Sequence, residues 1–296
     1  MQVVTLLHNP KAGDESHSKK ELESMIESAG IKCHYSSLKK EGWDQLDEET
    51  DFVAVAGGDG TVRRVAKKFL ERGLNNKFPL AVFPAGTANN IAKTLQMPED
   101  DKEVIQKWKH PEFKKFDVGK VENVQGASFF LEGFGFGIFP LLMQEMEKQD
   151  EALKDTPDKK LHLALALLQQ IAETFQPLQA TIDIDGTVHS GKFLMVEVMN
   201  IQSIGPNLVL SPFGDPGDGE FEVILIPETQ REKLLAYVKA KLNGVEDPDL
   251  FDTCKARELR ISCDEFIAHV DDELVEAKHV PTVHLKLMEG LLKFLV

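Results

Sequence analysis

Residues Phe52 to Arg64 read FVAVAGGDGTVRR. An apolar run stops at two glycines, an aspartate, a third glycine and a threonine, and a helical pattern follows at once. A continuous apolar strand is one buried on both faces, which calls for a parallel sheet covered by helices. Glycines at its end let backbone N–H groups approach an anion closely. The helix start behind them favours phosphate. In an open parallel sheet, ligands bind beyond the carboxyl ends of the strands, where this turn would lie.

The surrounding sequence repeats the arrangement. QVVTLLHNP reads as a strand and turn, SKKELESMIESAG as a helix with Leu22, Met25 and Ile26 on its apolar side and Gly30 at its end. IKCHYSSL is a second strand, DFVAVAGGDG a third and PLAVFPAGT a fourth, with helices TVRRVAKKFLERG and ANNIAKTLQM between and after them. Residues 1–118 are therefore read as an α/β domain with a parallel sheet. Its peculiar turns, HNPKAG, GGDGT and PAGTANN, all follow strands and should share one rim of the sheet.

After Val118 the pattern changes. QATIDIDGTVHSGKFLMVEVMNI, GEFEVILIP, ELRISC, FIAHVDDELV and TVHLKLMEGLLKFLV are strands joined by turn residues, several of them alternating with period two. Helical stretches near 139–175 and at TQREKLLAYVKAKLNG interrupt them. Residues 119–296 are read as a second, mostly β sandwich domain. Within it the charged stretch Glu147 to Lys160 is expected to be a mobile connection, and GFGFG (Gly133 to Gly137) a site of close packing at a strand-to-helix turn. The helix around LHLALALLQQIAETF could touch a membrane, but its stripe fits core packing better.

Charge and composition exclude several classes. Residues 1–118 carry 18 Lys and Arg against 19 Asp and Glu, and the remainder 16 against 30. An acidic second half disfavours nucleic acid, whose phosphates require a basic face. It also disfavours unspecific adsorption to an anionic bilayer. Three cysteines without CxxC spacing fit a reducing compartment rather than a disulfide framework or a zinc site. The opening MQVVTLLHNP lacks the basic start of a signal peptide, and no apolar run approaches the ~20 residues that span a bilayer. A cytoplasmic protein is expected.

Asp59 narrows the chemistry. A carboxylate inside a phosphate-binding turn is repelled unless it holds Mg²⁺ or takes a proton, and both are tasks of a kinase. The plainer reading is a capping aspartate in a tight strand–helix turn. The chain has neither the GxxxxGK[ST] pattern of a P-loop nor a dinucleotide fingerprint.

Taken in order, NPKAG at Asn9, GGDGT at Gly57, PAGTANN at Pro84, MNIQSIGPNLVLSP from Met199, DGEFEVILI from Asp218 and HVDDELVE from His269 resemble the motifs of the diacylglycerol kinase catalytic-domain family. That family includes soluble bacterial lipid kinases and sphingosine kinases and is distantly related to NAD kinases. The resemblance covers nearly the whole chain and implies an ATP-dependent lipid kinase of NAD kinase/diacylglycerol kinase-like fold, with its active site in the interdomain cleft. It implies a nucleotide site at Asn9, Pro10, Lys11, Ala12, Gly13, Gly57, Gly58, Gly60, Thr61, Arg64, Gly86 and Thr87, with Ser37 beside it. Glu273 takes the place of the base that accepts the substrate hydroxyl proton, with Asp59 near the γ-phosphate. Asp218 would hold a structural Mg²⁺, helped by the backbone near Asp215 and Glu220. The implied partners are a lipid alcohol and, transiently, the membrane surface, with a peripheral location there; a homodimer is compatible with the reading. Two alternatives stay open: a kinase of a soluble acceptor such as NAD, and a nucleotide-binding regulator with weakened chemistry. Asn90 stands where the family has aspartate, Arg63 and Arg64 replace Asn-Glu, and Asp272 and Pro206 each replace a glycine.

Overall fold

The structure is a computed structural model that describes residues 2–10, 12, 18–153, 156–205, 207–245, 251–263, 265–278 and 282–296. The chain divides into two compact units, Met1–Asp117 with Glu289–Val296, and Val118–Met288. The sequence pattern assigns 289–296 to the second domain; the structure returns them to the first. Nothing in an alternating strand names its partner, so the return has no signature in the pattern.

The first unit is a parallel sheet with helices. Its elements are β1 (Val3–His8), α1 (Lys19–Ser28), β2 (Lys32–Ser37), β3 (Phe52–Gly57), α2 (Asp59–Arg72), β4 (Leu80–Pro84), α3 (Asn90–Thr94), α4 (Asp101–Trp108) and the start of β5 (Phe113–Glu122). The strands lie in the order β2-β1-β3-β4, all parallel, with Leu6 opposite both Tyr35 and Ala54. Every residue of β1 and β3 is buried, as a strand covered on both faces requires. Ser18 and Glu21 form a reciprocal capping box that starts α1, whose Leu22 and Ile26 are buried. Trp108, at the end of α4, packs edge-on to Phe52 and Phe83. The helix α4 has no counterpart in the sequence reading; DKEVIQKW is too short and too charged to stand out, yet Asp100 caps it through Lys102 and Glu103 N–H. The last strand supplies Phe294 and Leu295 alongside Leu80 and Ala81, also parallel.

The second unit is mostly β. It holds the end of β5, β6 (Phe129–Phe130), β7 (Gly133–Gly137), α5 (Ile138–Glu147), α6 (Pro157–Thr174), β8 (Leu178–Ile184), β9 (Thr187–Met199), β10 (Ser203–Ile204), β11 (Leu208–Val209), β12 (Phe221–Pro227), α7 (Arg231–Leu242), β13 (Thr253–Ala256), β14 (Glu258–Cys263), β15 (Glu265–Val270), β16 (Glu273–Lys278) and the first part of β17 (Val283–Leu295). The antiparallel order β16-β15-β7-β9-β8-β14-β17 has β12 also paired to β9. Strand parity separates two apolar layers. Val196 and Val198 of β9 join Phe134, Phe221 and Leu259 in one. Met195 and Met199 face the other, with Phe139 of α5, Leu165 and Leu168 of α6, and Val238 of α7. The apolar stripe of α6 is thus core. The segment expected to be a mobile connection contains a short 3₁₀ turn at Glu151–Leu153, and α6 already starts within it; Lys154 and Asp155 lie outside the described residues. GFGFG is itself the strand β7, with α5 beginning at the next residue.

Candidate functional site

In the strand order β2-β1-β3-β4 the chain leaves β1 in one direction and returns to its other side at β3. The crevice at such a reversal is where open α/β sheets bind ligands. Here it lies between the turns that follow β1 and β3. Asn9 bridges it, its side-chain amide donating to Thr61 Oγ1 at 3.1 Å and its backbone N–H to the Ala56 carbonyl at 3.0 Å. The first turn closes on itself through Ala12 N–H to the Asn9 carbonyl, with Pro10 in between. Lys11 and Gly13 lie outside the described residues.

The turn after β4 joins the same rim. Ala85 N–H donates to the Gly57 carbonyl at 3.2 Å. The backbones of Gly58 and Gly86 touch: a Cβ on Gly58 would stand 3.1 Å from Gly86 Cα, and one on Gly86 would overlap Gly58 Cα. A Cβ on Gly57 would meet Thr61 at 2.6 Å. These three glycines are required by space rather than by φ. Asn89, which the sequence reading did not single out, adopts the left-handed conformation (φ 53) and clamps the third turn, accepting from Gly86 N–H at 2.9 Å and donating to the Gly86 carbonyl at 2.8 Å. Asparagine is among the few side chains at home there. The exposed Thr87 lies between the clamped residues, and Gly60 is exposed on the first turn of α2. Gly58 precedes α2 without a side-chain cap, leaving that helix start to backbone groups and whatever anion binds there.

Asp59 has a structural task. Its two carboxylate oxygens accept from Asn90 and Ile91 N–H, at 2.9 and 3.0 Å. The residue that opens α2 thus caps the helix after the fourth strand rather than its own. Asn90, buried, avoids a second carboxylate at a position whose own backbone already meets Asp59. Arg64 already has protein partners. Its guanidinium donates to the Leu38 carbonyl at 3.0 Å and lies 5.8 Å from the Trp43 ring. With Lys68 and Arg72, which pair with Asp44, it forms one stripe of α2 that grips the segment after β2. Ser37, at the end of β2, accepts from Lys39 N–H and helps to shape that segment.

The second unit holds the other candidates. Glu273 is exposed at the first position of β16, following a two-residue turn in which Asp271 is left-handed (φ 55). Asp272, which replaces a family glycine, is not at positive φ, so its Cβ meets no backbone penalty. Asp215 and Asp218 order their own turn through Gly217 and Glu220 N–H, at 2.9 and 3.0 Å. The ammonium of Lys255 on β13 sits 2.6 Å from Asp218 and 3.2 Å from Glu220. These two carboxylates hold it well above the ordinary lysine range. Among the described residues no three His, Cys, Asp or Glu side chains are arranged to hold a metal ion. Magnesium asks for a near-octahedral oxygen shell. In this arrangement Lys255 takes the place of a counter-charge beside Asp218 and Glu220; a Mg²⁺ held by Asp218 with backbone groups near Asp215 and Glu220 stays an expectation. The sequence reading missed Lys255 because its partners lie on the neighbouring strand and its turn, far away along the chain.

Two family models match. The diacylglycerol kinase catalytic domain covers residues 3–121, and the YegS C-terminal NAD kinase β-sandwich-like domain residues 147–295. A diacylglycerol kinase of Bacillus subtilis (strain 168) is 24% identical over 287 residues, 90% of this chain and 87% of that protein. One of Mycobacterium tuberculosis (strain H37Rv) is 22% identical over 231 residues, 76% and 71% of the two chains. A crystal structure from Bacillus anthracis, provisionally described as a diacylglycerol kinase, superposes with a TM-score of 0.77 at 23% identity, over 99% of this chain and 97% of that one.

Proposed function

The chain belongs to the diacylglycerol kinase catalytic-domain family, with the YegS-type β-sandwich-like domain behind it, and from that premise we propose that it transfers the γ-phosphoryl group of ATP to the hydroxyl of a lipid alcohol such as diacylglycerol. Membership of a kinase family supports a phosphotransferase with ATP as donor. The observation that supports the reading best is the junction of three turns around Gly58 and Gly86, tied by Asn9, Thr61 and Asp59.

Phosphoryl transfer needs positioning and charge stabilisation above all. The donor is the magnesium complex of ATP, the metal arriving as the counter-ion of its phosphates. The glycine turns at Gly57, Gly58, Gly60 and Gly86 bring backbone close to the phosphates, Gly86 being held in place by the Asn89 side chain that takes its N–H. Thr61 and Thr87 offer hydroxyls, while Asn9, Pro10 and Ala12 close the first turn over them. Donors fixed before the reaction stabilise the charge that develops on the transferring group. Glu273 takes the proton of the acceptor hydroxyl, and Asp59 keeps the second and third turns in register. A lipid acceptor implies transient contact with a membrane surface. Among the described residues no helix is long and apolar enough to cross one.

Transfer of labelled γ-phosphate tests the proposal, with mixed-micelle diacylglycerol, a total lipid extract and NAD offered in parallel. Label in a lipid is expected. Label in NAD alone would overturn the acceptor, and ATP binding without any transfer would overturn the enzyme. Glu273→Gln should lower transfer by about 10²-fold or more and leave ATP affinity within about twofold; transfer at the wild-type rate would remove Glu273 from the role of base.

A further inference from the structure

One polar pair in the second unit has no share in the phosphate chemistry. His269 on β15 and Glu197 on β9 are both fully buried, with Nε2 and Oε2 2.7 Å apart. They belong to strands that are not neighbours. Gly135 of β7 lies between them, opposite His269 on one side and Glu197 on the other. A Cβ at Gly135 would overlap the Glu197 carboxylate. The middle glycine of GFGFG is therefore the gap through which the two side chains meet. Phe139 of α5 closes the space from above, its ring 4.8 Å from the imidazole.

A buried ion pair is poor value as stability, since desolvation offsets most of its attraction. Its geometry points to a positional task instead. The other imidazole nitrogen, Nδ1, lies 3.0 Å from the Asp271 carbonyl, which can only accept, so Nδ1 carries a proton. Asp271 is the left-handed residue of the β15–β16 turn. Its carboxylate accepts from the N–H groups of Leu131, Glu132 and Gly133 at 2.8–3.1 Å, and its own N–H donates to the Gly133 carbonyl at 2.9 Å. Two residues later the chain reaches Glu273, paired across the turn with Val270. A continuous polar path thus runs from Glu197 through His269 to Asp271 and the start of β16.

We propose that the His269–Glu197 pair is a positioning device that fixes the turn from which Glu273 leaves, and that the device is released when the pair loses its shared proton. The inference rests on the reading of Glu273 as the base. The charged groups that face the imidazole are Glu197 from β9 and Asp271 from the turn; Gly135 and Phe139 bring none. Burial alone lowers the affinity of the imidazole for its proton, and the Glu197 charge and hydrogen bond, with Asp271 behind them, more than offset it. The folded value is raised above the unfolded one, so the stability that the pair contributes is present below the unfolded value and is lost as pH rises through the folded value.

The test is an NMR titration of the wild-type protein, following the His269 ring nitrogens and the Glu273 amide together. The two should move with one midpoint, and a Glu273 amide that ignores the ring would overturn the proposal. This readout needs no substrate, so failure of the kinase reading is recognised separately, as absence of transfer while the two signals still move together. In Glu197→Gln the shared midpoint and the alkaline fall of kcat should both move down by about one pH unit or more, with KM for ATP within about twofold. An alkaline limb that stays in place in a folded Glu197→Gln protein would overturn the device.

Discussion

At the scale of single residues, the first unit's site is a problem of space. Gly58 and Gly86 touch through their α-carbons, so Gly86→Ala has to push apart turns that three hydrogen-bond systems hold together. Overpacking of this kind costs about 1–3 kcal/mol. The expected outcome is a lower unfolding midpoint and at least tenfold weaker ATP binding by calorimetry; Gly58→Ala, which meets Gly86 Cα at 3.1 Å, should be milder. Lys255 invites a different measurement. Its ammonium already pairs with both Asp218 and Glu220, so Mg²⁺ without nucleotide should leave the wild-type unfolding midpoint unchanged. Lys255→Met leaves those carboxylates unbalanced and should be the form that gains stability from Mg²⁺. A midpoint that rises with Mg²⁺ in the wild type but not in the variant would reverse this account.

At the scale of elements, Asp59 is a strap between α2 and α3. The helix α3 spans only Asn90–Thr94 and Asn89 gives it no side-chain cap, so it relies on a carboxylate from another element. Asp59→Ala should cost about 1–2 kcal/mol in chemical denaturation, and it should weaken ATP binding because the third turn loses its anchor. Retained stability with transfer abolished would restore Asp59 to a direct chemical role. The parallel strands and the three turns were legible because each rests on local signals: apolar runs, glycines and a threonine at strand ends. What was not legible depends on partners far along the chain. Asn89 reads as an ordinary loop amide until Gly86 is seen beside it, and the contacts of Arg64 with Leu38 and Trp43 have no signature in the pattern. GFGFG shows its glycines plainly, yet the reason for the middle one is a histidine and a glutamate on the two flanking strands.

At the scale of the whole molecule, the two tryptophans report on one unit. Trp43 and Trp108 both belong to Met1–Asp117, so tryptophan fluorescence follows the first unit while circular dichroism follows both. Removing residues 289–296 deletes the buried Leu292, Phe294 and Leu295. At about 1.5–3 kcal/mol for each buried side chain, the loss approaches the 5–15 kcal/mol of a typical domain. The truncated chain should therefore lose its native tryptophan emission while keeping most of its β signal; a native emission spectrum would show that the strand is dispensable. The same strand sets the order of events on the ribosome. Asn75 donates to the Leu291 carbonyl across 216 residues of sequence, so the first unit, although most of it is translated early, cannot complete its sheet until residues 289–296 have been made. Until then the β4 edge that pairs with Phe294 and Leu295 is open, and an open strand edge is a template for wrong pairing between chains.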